Sequence, residues 1–119
     1  MYHRAPMTGD QIIHALLGST NVYLHYTSAQ GLAGILAEGV IRGNNKFAVY
    51  LTQEPIKEPE AHNKLFIGAT THQGRATHLI VLRLDSGVPV DRVGYYEFQV
   101  RQNIRLDQHV VLFAGQNPF

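Results

Sequence analysis

The chain has 119 residues, about the commonest size for one domain, and its 45% hydrophobic and 16% charged content excludes a disordered polymer. A net charge of +1 is too weak a bias to argue for nucleic acid as a partner. Without cysteine there is no disulfide, thiolate metal site or cysteine nucleophile, and the longest apolar runs, such as Leu79–Leu82, fall far short of a membrane span.

In chain order, residues 1–7 read as a loose lead-in and residues 8–119 as one domain without repeat or linker. Thr8 and Gln11 stand in capping-box spacing before a helix whose apolar stripe is Ile12, Ile13, Leu16 and Leu17, with Gly18 placed to end it. After a turn at Ser19–Asn21, the β-branched and aromatic run Val22–Tyr26 predicts a strand. Ser28 is an N-cap for a second helix over Ala29–Glu38, stopped by Gly39, with Leu32, Ile35 and Leu36 on its buried face. Gly31 and Gly34 read as points of close packing.

Phe47–Thr52 predicts the next strand, Gln53–Glu58 a proline-broken loop, Glu60–Ile67 a short helix and Ala69–Ala76 a loop. Thr77–Leu84, apolar throughout its centre, predicts a strand covered on both faces. Asp85–Gly87 reads as a turn, and Val88–Val90, Tyr95–Val100 and His109–Phe113 as the remaining strands. The expected class is α+β, with helices mostly early and antiparallel strands mostly late.

Three blocks carry the chemistry: V-Y-L-H-Y-T-S around His25, F-A-V-Y-L-T around Tyr50 and G-Y-Y-E-F-Q-V around Glu97. Side chains alternate across a strand, so Tyr95, Glu97 and Gln99 share one face while Phe98 and Val100 share the other. Tyr50 and Thr52 likewise lie opposite Phe47, Val49 and Leu51, and His25 lies with Tyr23, opposite Leu24 and Tyr26. Each block is thus expected to put its polar residue on a face it shares with a ligand. The seven histidines contain no H-E-x-x-H and no i, i+4 pair, so no metal site is expected; the glycines form no G-x-G-x-x-G or P-loop. Arg101 and Arg105, near Tyr95 and Tyr96, read as the exposed side of a strand and turn, or as a small basic-aromatic patch for RNA.

These blocks resemble the H-Y-[D/E] class of ADP-ribosyltransferases, and within it the small transferase domains of bacterial polymorphic toxins. The likeness comprises H-Y-T-S at His25–Ser28, the helix motif A-x-G-L-x-G-I-L-x-x-G-V-I-R at Ala29–Arg42, and V-Y-L-T at Val49–Thr52. E-F-x-V at Glu97–Val100 and I-x-L at Ile104–Leu106 complete it, so it spans roughly residues 22–112.

The resemblance implies a split antiparallel β core with short helices and NAD as substrate. By it, His25 hydrogen-bonds the adenosine-side ribose, the Tyr26 backbone binds the nicotinamide amide and Tyr50 stacks on the nicotinamide ring. Glu97 binds the 2′-hydroxyl of the nicotinamide ribose and stabilises the oxocarbenium-like charge that develops as nicotinamide leaves. Thr27, Thr52 and Gln99 join the cofactor-binding set. Gln99, two residues after Glu97, leaves open which of the two holds the third catalytic place, although F-x-V and I-x-L fit the register of Glu97. Arginine-directed relatives pair their glutamate with an upstream glutamate or glutamine; here that order is reversed.

The implied partners are NAD, a protein or nucleic-acid acceptor and an immunity protein that plugs the NAD cleft, with no membrane and no metal. The implied place of action is the cytoplasm, of a target cell where a larger secreted parent delivers the domain. An NAD-dependent RNA 2′-phosphotransferase-like enzyme and a catalytically inactive NAD or ADP-ribose binding module are the alternatives.

Overall fold

The computed structural model describes residues 8–43, 48–56, 77–85, 87–94 and 97–119. Helix α1 (Gly9–Gly18) begins as its capping box dictates: the Thr8 hydroxyl accepts from the Gln11 amide at 3.2 Å and the Gln11 side chain accepts from the Thr8 amide at 3.0 Å. Its buried stripe is narrower than expected. Ile12 is fully buried with Ala15 and Leu16 beside it, whereas Leu17 is 82% exposed because five residues at 100° each carry it to the far side.

Strand β1 (Val22–Thr27) leads through Ser28, whose hydroxyl accepts from the Gly31 amide at 3.0 Å, into α2 (Ala29–Glu38). Gly39 ends α2 in the left-handed region at φ 72°, where a side chain is strained, and its amide bonds the Ile35 carbonyl. Then come β2 (Val40–Ile41), β3 (Val49–Leu51), β4 (His78–Arg83), β5 (Asp91–Arg92), β6 (Phe98–Val100), β7 (Ile104–Arg105), a 3₁₀ turn at Leu106–Gln108 and β8 (Val110–Gln116).

Every described pairing is antiparallel, and the domain is α+β with two helices among the described residues. The strands form sheets in the orders β1-β4-β8, β3-β6-β5 and β2-β7. Strand β4, central in its sheet, is buried from Leu79 through Leu82, as its unbroken apolar run predicts. One face of this first sheet packs Val22, Leu24, Tyr26, Leu79 and Val81 against Ile12 of α1 and against Ile56. The other face, with Tyr23, Ile80 and Leu82, meets Leu32 of α2 and the inner residues Val49, Leu51 and Val100 of the second sheet. The main core therefore lies between the two sheets and α2.

The structure corrects several expectations. Val88–Val90 is not a strand: Val88 and Val90 pack against the main core, and pairing falls instead on Asp91 and Arg92, which bond β6. Strand β8 begins one residue later than expected and runs three further, to Gln116. The pairs β2 and β7, two residues each, were invisible as strands. Gly34 faces open space and is no point of close packing. The expected helix at Glu60–Ile67, the loop Ala69–Ala76, and residues Phe47, Tyr95 and Tyr96 lie outside the described residues.

Gly31 is a point of close approach, since a β-carbon there would run into the Thr27 hydroxyl and press on Ser28. Gly31→Ala is expected to cost about 1 kcal/mol or more in denaturant melts, as overpacking does. Thr27→Ala in the same chain should recover most of that loss, and equal losses in the single and double variants would show that this contact is not the cause.

Candidate active site

The central feature is the place where the two sheets join and then part. Leu24 of β1 and Thr52, just past β3, form an isolated antiparallel bridge, exchanging N–H···O bonds of 2.7 and 2.9 Å. In an antiparallel ladder the next hydrogen-bonded pair would be Tyr26 with Tyr50. That pair is not made. Instead the His25 imidazole donates from Nδ1 to the Tyr50 carbonyl at 2.9 Å. A side chain thus takes the acceptor that the Tyr26 amide would otherwise have used, and the strands separate at His25. By the alternation of strand backbones, the N–H and C=O of Tyr26 point the same way as those of Leu24, away from β4 and toward the opening.

The bond to Tyr50 also sets the histidine's chemistry. Because a carbonyl only accepts, Nδ1 carries the proton, and in the neutral ring Nε2 is the acceptor. Burial pushes the imidazole below its ordinary 6.5, more than the bond to the Tyr50 carbonyl pulls it up. The unfolded chain therefore takes up a proton near pH 6.5 that the folded chain refuses until lower pH. Stability falls as pH drops below about 6.5 and levels off below the folded value. His25→Gln lacks this component, so the stability gap between wild type and variant should be larger at pH 8 than at pH 5.5 in denaturant titrations; a gap independent of pH would refute the account.

Across β3 and β6 the register sets Tyr50 opposite Gln99 and Leu51 opposite Phe98, and its continuation sets Thr52 opposite Glu97. Val49, Leu51, Phe98 and Val100 turn toward the main core, while Tyr50, Thr52, Glu97 and Gln99 share the other face, as alternation predicts. Glu97 is not a solvated strand residue: it is 8% exposed, and Thr52 is 1% exposed. The Thr52 hydroxyl accepts from the Glu54 amide at 3.1 Å, so it shapes the turn that follows β3. The main-chain carbonyl of Glu97 accepts from Val93 at 3.0 Å, which fixes the hairpin between β5 and β6.

The structure brings the expected residues together in two groups. Tyr50, Gln99 and Glu97 stand on one face of the second sheet, and Thr52 sets that face on the side of Leu24. His25 lies on the opposite side, with Tyr23, and reaches Tyr50 through the gap at its main-chain carbonyl. The two groups lie on opposite sides of the joined sheets, and the place where β1 and β3 part connects them. Thr27, at the end of β1 on the side of His25, abuts α2 at Gly31.

Sequence reading missed the framework around these residues. The Tyr26 hydroxyl accepts from the Ile56 amide at 2.7 Å and donates to the Glu54 carbonyl at 3.0 Å, fastening the segment beyond β3. Gln53 donates to the Thr20 and Val22 carbonyls at 3.1 Å, and Asn117 donates to the Ile56 carbonyl at 3.0 Å. At the far end of the site face, Gln99 satisfies its surroundings with its amide oxygen toward Arg101, accepting from Nε at 3.0 Å and from Nη2 at 3.3 Å. Arg101 also stands 3.8 Å from Asp91, which pairs with Gln99 across β5 and β6. Arg105 pairs with Asp107 at 3.1 Å, so both arginines of the suspected RNA patch face carboxylates.

Among the described residues no group of three or more histidine, aspartate or glutamate side chains is placed to hold a metal, and no helix is long and apolar enough to cross a membrane. No protein-family model, curated protein or solved structure matches this chain.

Proposed function

We propose that this chain is an NAD-dependent mono-ADP-ribosyltransferase of the H-Y-E type, the effector domain of an interbacterial toxin. The observation that supports this most is the parting of β1 and β3 at His25. The histidine there consumes a strand carbonyl and leaves the Tyr26 backbone groups turned toward a gap whose other wall begins at Tyr50.

In this reading a dinucleotide enters the gap. The Tyr26 N–H and C=O are complementary to a carboxamide, which has one acceptor and two donors. Nε2 of neutral His25 accepts from a ribose hydroxyl, and the Tyr50 ring stacks on the nicotinamide. The glycosidic bond between C1′ and the pyridinium nitrogen breaks, and its electron pair leaves with nicotinamide, neutralising the ring. Positive charge then develops on the ribose, where the Glu97 carboxylate holds the 2′-hydroxyl and stabilises the cation. A nucleophilic atom of the acceptor bonds to C1′ and gives up its proton.

The test is nicotinamide release from NAD by the purified domain, with and without cell lysate. Release that grows with lysate, and labelled ADP-ribose on a macromolecule, are expected. No release under either condition overturns the proposal. Treating the labelled product with protease or nuclease then names the acceptor as protein or nucleic acid.

A further inference from the structure

We propose that Gln99 is a donor-only ligand contact and that Arg101, braced by Asp91, is the positioning residue that makes it so. The inference rests on the NAD reading above for the identity of the ligand, and on geometry for the rest. An isolated glutamine amide offers an oxygen acceptor and two N–H donors, and rotates freely between them. Of the two placements of the Gln99 amide, the one assigned by hydrogen-bond satisfaction turns its oxygen to Arg101, where it accepts from Nε and Nη2 at 3.0 and 3.3 Å. Glu97, just before β6, alternates onto the face of Gln99, and Arg101 follows in the bend just past the strand. Asp91 lies directly across from Gln99 and within 3.8 Å of the guanidinium, so Arg101 is steadied from the neighbouring strand.

With its oxygen occupied, the Gln99 amide presents only N–H to the site face. It cannot take the place of a carboxylate that must accept a ribose hydroxyl's hydrogen bond. The third catalytic place therefore falls to Glu97, and Gln99 instead donates to an oxygen of the bound ligand. Directly opposite it across the ladder is Tyr50, and side chains in such pairs have β-carbons roughly 5 Å apart. Since Tyr50 is the residue read as stacking on nicotinamide, the oxygen that Gln99 meets belongs to the nicotinamide half of NAD. The same donor-only amide disfavours a guanidinium, which has no acceptor to offer it.

Arg101 is 75% exposed in its side chain, so its replacement does not threaten folding. Steady-state nicotinamide release is measured for wild type, Gln99→Leu, Arg101→Met, Arg101→Lys and the Gln99→Leu/Arg101→Met double variant. Loss of one neutral hydrogen bond predicts KM for NAD raised about threefold to tenfold in Gln99→Leu, with kcat changed less. Arg101→Met should approach that value, Arg101→Lys should not rescue it because an ammonium lacks the planar fork, and the double variant should be no worse than Gln99→Leu.

An active wild type with unchanged KM in Arg101→Met, or single effects that multiply in the double variant, overturns the proposal. A purely structural role for Arg101 would lower the active fraction and leave KM alone, which also overturns it. An inactive wild type would strike the NAD reading instead. The positioning role is then judged by NMR: the Gln99 side-chain amide pair should be dispersed in wild type and collapse toward free-glutamine values in Arg101→Met, and an unmoved pair refutes it.

Discussion

On the proposed transferase reading, Glu97→Gln is expected to lower kcat for nicotinamide release by roughly 10²–10³-fold, the usual consequence of removing one group that meets charge developing in the transition state. The substitution keeps the side-chain volume of a residue that is 8% exposed, so it tests charge with little change in packing. KM for NAD should move far less than kcat, because a carboxylate aimed at an oxocarbenium-like ribose acts more on the transition state than on the ground state. Thermal melts of the variant provide the control for folding. A variant retaining more than about a tenth of wild-type kcat would remove Glu97 from the third place.

Tyr26→Phe destabilises the domain by about 2–3 kcal/mol, because its hydroxyl holds two main-chain groups at once. Ile56 is fully buried in the cluster under α1, and its amide would be left without the oxygen that now accepts it at 2.7 Å. The Glu54 carbonyl would lose its donor at 3.0 Å as well. Burial also raises the phenol above its ordinary 10.0, outweighing the bond from the Ile56 amide, and the nearby Glu54 charge adds to the rise. The stability linked to the neutral phenol is therefore present below about pH 10 and lost as pH climbs beyond it, where the unfolded chain ionises first. Denaturant titrations at neutral and alkaline pH check both parts: a variant as stable as wild type at pH 7, or an identical alkaline decline in the two proteins, contradicts the account. The same substitution loosens the segment from Gln53 to Ile56, including the Glu54 amide that bonds the Thr52 hydroxyl.

Much of the local structure was legible in the sequence because it rests on short-range chemistry. Thr8 with Gln11, and Ser28 followed by Gly39, set the ends of both helices through hydrogen bonds and backbone preferences that reach no further than four residues. The apolar run Leu79–Leu82 marked the central strand, since only a strand covered on both faces tolerates it. Alternation placed Val49, Leu51 and Val100 in the core and Tyr50 and Gln99 away from it.

What alternation could not supply was the relation between strands far apart in sequence. Periodicity within each block says which side a residue takes on its own strand, not whether two strands remain paired. Parity within each block left the relative sides of His25 and Tyr50 open; the bridge from Leu24 to Thr52 sets them on opposite sides, joined by a side-chain bond to a strand carbonyl. The burial of Glu97, the turn made by Thr52 and the grip of Tyr26 on Ile56 all depend on how the chain packs in three dimensions. Residue types and their faces came from the chain itself, because side-chain period and capping are local. The gap between β1 and β3, the orientation of Gln99 by Arg101 and the position of Glu97 were decided by tertiary structure, because each depends on which backbone or side chain occupies a hydrogen-bonding position first.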